Sequence, residues 1–496
     1  GTYIVASSFT AENGSIDVEA TTGNIVDTTI VLKDKNESAD DLVLIRAGGE
    51  LDAVWVDAAA DIDAAGTHVI SGMYLSETGN VDLVATAGNI DATTATAKVG
   101  YVAATANSIA GNYGNIIGMT VDAFTTATLL AAQDITGGTV ASLSTATLTA
   151  TAGEINGTTV QTNGLADLNA LRDITGVNVD AGQITADGAN LTGGAYTADT
   201  TIALNATADI AGAILDAGTV ATLTAAQDIT GVEVDAATTT WNATGDISGG
   251  SADVSGTADF TAGSDIVGTA VNAGGAVTMT ADGTATPDAD SEGYIQGVTI
   301  LTGATAILTA SENIDASAVT AQGQISLRAG QDVTASDLVS VLAGADYTVY
   351  GDVIGGSAST AADILLKVDG GITNLQATTD GGETITVAGA SGAAAGTVDG
   401  GVFTADTIDF TLAQGVGAEN AVVLAGAELI DIANTVAGGI NAMNTNNNAT
   451  SITAISAGVG DIAFDQRGIG HLTVTSMSAA EGDIVVSADD AITTLA

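Results

Sequence analysis

Apolar residues recur along this chain at a long, fixed period. Between residues 116 and 372, an isoleucine, leucine or valine that usually follows Asp or Asn returns every 17 to 20 residues, most often every 19, apart from one 29-residue step. Two further apolar positions keep the same period, one five residues after this marker and one six residues before it. A repeat of this length predicts a solenoid, because one repeat can bury its apolar side chains only against its neighbours.

The three apolar positions of a repeat are spaced by 5, 8 and 6 residues, which does not fit the three- and four-residue spacing of a helix. Short pieces rich in β-branched residues, such as I-T-G and T-L-T-A, favour strands of three to five residues. Glycine follows the marker by two residues, as at Gly137 and Gly231, and allows the positive φ of a corner. The pattern predicts an all-β fold, a right-handed, single-stranded parallel β-helix with three short strands per coil of about 19 residues.

The repeat divides the chain into three parts. Residues 1–74 contain irregular N-terminal coils with a loop near 33–41. Residues 75–372 hold the regular 19-residue repeats, with a loop at 281–294 that accounts for the long step. Residues 373–496 are less regular C-terminal coils with a polar loop near 441–450. Trp241, Phe260 and Tyr347 fall in a leucine column and are predicted to lie in the core.

Composition limits the partners. The chain has 59 acidic and 8 basic residues, a net charge of −51, and the basic residues are scattered singly. Nucleic acids and anionic membrane surfaces are bound through Lys/Arg clusters, so we expect neither partner. No apolar run approaches the length of a membrane span. The absence of cysteine excludes disulfides and Cys-ligated iron–sulfur clusters, while the 46% apolar content predicts a folded chain.

The A-x-x-D-I-T-x-x-x-V-x-A phrase on a 19-residue period, with AAQDITG at both 131–137 and 225–231, carries a resemblance in repeat style. It resembles the β-helical shaft of filamentous-haemagglutinin-like secreted exoproteins, over residues 75–372. The N-P-N-G motif of that family's secretion domain does not occur in this sequence. The resemblance implies an extracellular rod with a structural or adhesive role.

Aspartates repeat with the coils, and alternation predicts that they point outwards. One interpretation is structural: solvated carboxylates keep the solenoid soluble and form turns through bonds to the backbone. The other is that calcium bridges carboxylate and carbonyl oxygens between coils or molecules. The candidate metal ligands are Asp209, Asp228, Asp246 and Asp265 of the repeat and Asp288, Asp290 and Glu292 of the loop.

Catalytic motifs are missing from the sequence. It contains no G-x-S-x-G elbow, H-E-x-x-H zinc motif or phosphate-binding loop. His68 and His471 are isolated, and carboxylates at every repeat are typical of a structural ladder rather than of one reaction centre. We therefore expect no enzymatic activity and no cofactor other than calcium.

These observations favour an extracellular or cell-surface structural protein, a self-assembling subunit of a surface layer, sheath or filament. The alternatives are the shaft of a secreted adhesin and, more distantly, a carbohydrate-active β-helix enzyme. The expected partners are copies of the chain, joined head-to-tail or laterally, and surface glycans. Strand-like sequence continues to both ends, so we expect residues 1–10 and 482–496 to be ordered and to contact neighbouring copies.

Overall fold

The computed structural model describes residues 3–33, 41–108, 113–283, 293–392 and 394–495, and these residues contain no helix. They form two compact units, Gly1–Thr239 and Thr240–Ala496. Each unit is a parallel β-solenoid whose coils contribute strands to three sheets. We call these sheets A, B and C in the order in which the chain enters them within one coil.

Strand pairing follows the sequence period. In sheet A, Ile116 lies opposite Ile135, which in turn lies opposite Ile155. In sheet B, Val121 lies opposite Val140. Among the described residues, strands of one coil pair in parallel with the equivalent strands of the next. The predicted all-β parallel solenoid, with three strands per coil of about 19 residues, is therefore confirmed.

The strands are short except where the chain crosses a corner without a break. Sheet A contains Ile4–Val5, Ile25–Val26, Ile90–Asp91, Ile116–Ile117, Ile135–Thr136, Ile155–Asn156, Ile174–Thr175, Leu191–Thr192, Ile210–Ala211, Ile229–Thr230, Ile247–Ser248, Ile266–Val267, Ile295–Gln296, Ile314–Asp315, Val333–Thr334, Val353–Ile354, Ile372–Thr373 and Val398–Asp399. Sheet B contains Ser8–Ala11, Thr29–Leu32, Thr94–Ala97, Thr120–Ala123, Thr139–Ser142, Ser251–Val254, Ala270–Ala273, Thr299–Thr302, Ala318–Ala321, Asp337–Ser340, Ser357–Thr360, Gln376–Thr379, Val402–Thr404 and Val422–Ala425.

Sheet C and the longer strands complete the coils. Sheet C contains Ile16–Ala20, Leu42–Ala47, Asp61–Gly66, Val81–Ala85, Val102–Ala106, Thr126–Ala131, Thr145–Ala150, Ala258–Ala262, Val277–Ala281, Ala306–Ala310, Ile325–Ala329, Ala345–Val349, Ile364–Val368, Thr384–Ala388, Thr407–Leu412, Leu429–Asn434, Thr450–Val459, Leu472–Val474, Met477–Glu481 and Ile492–Thr494. Strands that run from A into B are Leu51–Ala58, Ile70–Ser76, Ile440–Thr445, Ile462–Arg467 and Ile484–Ala488. Strands that run from B into C are Thr159–Ala170, Asn178–Gly188, Ala195–Ala206, Ile214–Ala225 and Glu233–Ala243.

The core consists of the three apolar columns that the sequence predicts. Ile229 of sheet A, Val234 of sheet B and Leu223 of sheet C are all buried, and their neighbours along each strand alternate between buried and more exposed positions. Trp241 and Phe260 are also buried, with their rings edge to face and their centroids 5.0 Å apart. Stacked coils thus bury a continuous apolar interior, which supplies most of the stability of a solenoid.

The corner between sheets A and B requires positive φ. Gly231 has φ 58° and Gly212 has φ 63°, and a Cβ added at either position would meet no atom within 4 Å. Some coils of the second unit place another residue there, for example Ala335 with φ 46°. The backbone conformation of this corner, rather than crowding, therefore favours glycine.

Two predicted loops fall largely outside the described residues, which omit 34–40 and 284–292. The third, near 441–450, differs from the prediction because its first five residues lie within the strand Ile440–Thr445. Asn444 and Gln466 point into the coil there and are fully buried. Asn444 Nδ2 donates to Gln466 Oε1 at 2.9 Å and to the carbonyl of Ala427 at 2.9 Å. Hydrogen bonds between coils thus replace apolar contact in this part of the interior.

Candidate functional site

The repeated aspartates lie at the corner where sheet C leads into sheet A. Asp209 immediately precedes the strand Ile210–Ala211 and is half-buried. Its Oδ1 accepts a hydrogen bond from the backbone N–H of Asp228, the equivalent residue of the next coil, at 3.0 Å. Asp265 donates its N–H to Asp246 Oδ1 in the same way, also at 3.0 Å.

The arrangement continues through both units. Oδ1 atoms of this corner accept a backbone N–H from the next coil at distances of 2.6–3.2 Å. The accepting residues are Asn24, Asn89, Asn115, Asp134, Asp173, Asn190, Asp209, Asp246, Asp265, Asn313, Asp332, Asp352 and Asp461. We call this set the Asx ladder. Asp and Asn serve equally because each offers a side-chain oxygen as acceptor.

The ladder fits the expectation that these carboxylates bond to the backbone. Their Oδ1 atoms turn back to the main chain at a corner, where the backbone N–H would otherwise lack a partner. A hydrogen bond from an N–H to a carboxylate is charge-assisted, and such bonds are stronger than those between neutral groups.

A second acidic column lies on sheet B and is exposed. It includes Asp122, Asp180, Asp216 and Asp235 of the first unit and Asp253 of the second. Asp253 Oδ1 accepts a bond from Asn272 Nδ2 of the next coil at 3.0 Å. These side chains are the solvated carboxylates that the structural interpretation predicts.

The structure describes only some of the candidate metal ligands. Asp209, Asp228, Asp246 and Asp265 lie in the corner column, whereas Asp288, Asp290 and Glu292 lie outside the described residues. Across the described part of the chain, no group of three or more His, Cys, Asp or Glu side chains is arranged to hold a metal ion. The corner oxygens that are seen to bond serve the backbone, and calcium bridging stays a prediction.

Two shorter features were not predicted from the sequence. Asp61 and Asn80 form a similar pair of acceptors where sheet B leads into sheet C. Asp399 Oδ1 accepts the N–H groups of Glu419 at 2.8 Å and Asn420 at 2.9 Å. The bond from Asn420, followed by that from Glu419, lowers the pKa of Asp399. In the sequence, only an Asp or Asn at the start or end of a strand could have indicated such acceptors.

An open groove brings together residues that looked isolated. Glu50, His68, Asn89 and Tyr113 line it at the corner between sheets C and A of the first unit. The His68 and Tyr113 side chains are exposed, and Glu50 Oε2 accepts a bond from Asn24 Nδ2 at 3.1 Å. The other histidine, His471, lies 3.3 Å from Asp490 on the surface.

No helix among the described residues is both long and apolar enough to cross a membrane. Comparisons with models of protein families, with characterised proteins and with solved structures found no significant match. The function therefore has to be argued from the geometry of the solenoid.

Proposed function

We propose that this chain is an extracellular structural protein, a self-assembling β-solenoid subunit of a surface layer, sheath or filament. The observation that carries the proposal is the Asx ladder. The same side-chain atom, Oδ1, accepts the same backbone bond in coil after coil, as at Asp134, Asp209 and Asp332. Residues that could build a reaction centre elsewhere are here part of a repeated scaffold, and we expect no enzymatic activity.

The surface charge is compatible with assembly in salt. A net charge of −51 gives the chain strong mutual repulsion at low ionic strength, which keeps single subunits soluble. At 0.1 M salt, charges more than about 10 Å apart are largely screened, so subunits can approach closely. The resemblance in repeat style to secreted β-helical exoproteins points to an extracellular location.

Electron microscopy of the purified full chain in physiological salt tests the proposal. We expect ordered sheets or filaments that grow with protein concentration. Single, unassociated particles at every concentration and salt level would contradict it. The Leu223→Asp variant, which should be strongly destabilised, is the control for non-specific aggregation, since it should give no ordered array.

Calcium bridging is the second part of the proposal. Calcium accepts irregular sets of oxygen ligands more readily than magnesium does. EDTA should loosen the assemblies, and calcium should restore them at concentrations where magnesium does not. Equal restoration by sodium chloride would show charge screening instead.

The groove at Glu50, His68 and Tyr113 favours a second candidate, the shaft of an adhesin that contacts glycans. An exposed aromatic ring beside polar side chains suits a saccharide, which has both apolar faces and hydroxyl groups. Binding of neutral oligosaccharides, measured by calorimetry, should then be lost in Tyr113→Ala and kept in Tyr101→Ala. Absence of binding in the parent chain would remove this candidate and leave assembly untouched.

A further inference from the structure

Part of sheet B in the second unit presents a surface with almost no charge. Eight of its strands follow one another, from Ala270–Ala273 to Val422–Ala425, and each points two side chains outwards. Asp337 is the single charged residue at these outward positions of the described strands. Its Oδ1 accepts a hydrogen bond from Ser357 Oγ of the next coil at 2.7 Å. We call this surface the neutral face.

The equivalent surface of the first unit is acidic. Seven consecutive segments of sheet B, from residues 120–123 to 233–236, carry outward carboxylates from Asp122, Asp180, Asp216, Glu233 and Asp235. The two surfaces share the same strand geometry and differ in chemistry. In a chain of net charge −51, eight neighbouring strands with a single carboxylate form a distinct region.

Apolar side chains are exposed on the neutral face and at its edge. Leu301 is 52% exposed, Val339 39%, Val341 42% and Leu342 75%. Leu301 and Val339 lie in one outward row, separated by Thr320. Exposed apolar patches bordered by polar residues are typical of interaction sites.

We infer that the neutral face binds the neutral face of a second copy of this chain, an inference that rests on the proposed function. A copy is repelled by the acidic surface but meets little like charge here. The outward rows of two copies also have the same spacing along the solenoid, about 4.8 Å per coil. Rows of Thr, Ser, Leu and Val from the two copies can therefore interdigitate over the whole face.

The dimensions of the face set the strength of the contact. Eight strands about 4.8 Å apart, each about 13 Å long, present roughly 450 Å². Stable interfaces bury about 800 Å² on each partner. A single pair of chains should therefore associate weakly, and a stable assembly should need many such contacts acting together.

Sedimentation velocity over a concentration series tests the inference with one matched pair of variants. Leu301→Asp places a charge on the neutral face. Ile214→Asp makes an equivalent change on the acidic surface, where Ile214 is 53% exposed. Both side chains point outwards, so both variants should melt close to the parent chain.

We expect Leu301→Asp to raise the concentration at half-association at least about tenfold, because like charges then face each other across the contact. Ile214→Asp should leave that concentration within about twofold of the parent value. Equal effects of the two variants would overturn the assignment of this face while leaving self-assembly in place. A parent chain that sediments as a monomer at all concentrations would overturn both this inference and the proposed function.

Discussion

Two regions of the molecule fill their interiors with different kinds of side chain. In the coils of residues 116–236, the inward positions are mainly Ile, Val, Leu and Ala, as with Leu148 and Ile174. In the coils of residues 440–467, Asn444 and Gln466 are fully buried and bonded to each other. The coil also lengthens, since Ile440 lies opposite Ile462 rather than a residue 19 positions away.

The difference shows what the strict period requires. Packing between apolar side chains has no preferred direction. Coils of one length can therefore be built from many different apolar sequences. A buried amide needs particular donors and acceptors, which fix each coil to its own neighbour. We therefore expect the first region to tolerate substitutions of similar shape and the second to resist them.

The largest expected effect concerns the apolar interior. Leu223→Asp puts an unpaired charge in a dry column and should destabilise the chain by several kcal/mol, on the order of 4. Thr224→Asp, an exposed neighbour on the same strand, should cost less than about 1 kcal/mol. Urea denaturation followed by circular dichroism measures both. Equal losses would contradict the inward and outward assignment.

Substitution of a buried amide sharpens the comparison. Asn444→Leu removes the acceptor of the Ala427 N–H and the donor to Gln466 Oε1. Unpaired buried groups cost about 1–3 kcal/mol each, so we expect a loss of roughly 3 kcal/mol. Leu148→Met, in the apolar region, should cost under about 1.5 kcal/mol. A smaller loss in Asn444→Leu than in Leu148→Met would mean that the amide pairs do not specify these coils.

The corners of the two units can be compared by exchanging their residues. Gly231→Ala should destabilise the first unit by about 1 kcal/mol, because an alanine at positive φ is strained. Ala335→Gly should stabilise the second unit by about 0.5 kcal/mol, since relief of strain is partly offset by a more flexible unfolded chain. Thermal melting measures both, and changes of the same sign would contradict the account.

The smallest predicted effect is on the pH dependence of stability, to which two aspartates of the second unit should contribute in opposite directions. Burial, and then Asp431 opposite it, raise the pKa of Asp409. Its ionisation therefore costs stability as pH rises from the unfolded pKa through the raised folded one. Asp409→Asn should increase the melting temperature at pH 7, with no gain at pH 3.

Asp399 is the matched control, because its backbone bonds lower its pKa. Its stabilisation is present above the unfolded pKa and is lost as pH falls through the lowered folded value. Asp399→Asn should therefore decrease the melting temperature at pH 7. If both substitutions shift the melting temperature in the same direction at pH 7, the two environments have been misassigned.

The interior of the regular coils could be predicted because a buried column returns at a fixed interval. Val121, Val140 and Val160 read as one position in the sequence and pair as one in the structure. The segment around Asn444 reads as a loop, because its amides find their partners in other coils, such as Gln466 22 residues away. The burial of a polar side chain can be predicted from the sequence only when its hydrogen-bond partner is known.

The aspartates were recognised as a column that bonds to the backbone, but the N–H that each one meets was not. Asp209 is half-buried and stands at a corner, where the alternation along a strand does not apply. The acceptor role depends on the N–H of Asp228, which the sequence does not place. The groove at His68 likewise joins residues from several coils.

The claim that the repeated aspartates serve the solenoid's own backbone can be tested at a single atom. Hydrogen exchange at the Asp228 amide should be measured in the parent chain, in Asp209→Asn and in Asp209→Ala, with EDTA present. Asparagine keeps the acceptor and loses the charge, so protection should stay close to that of the parent. Alanine removes the acceptor, and protection should fall roughly tenfold or more. Equal loss in both variants would show that the charge, rather than the backbone bond, is what this column provides.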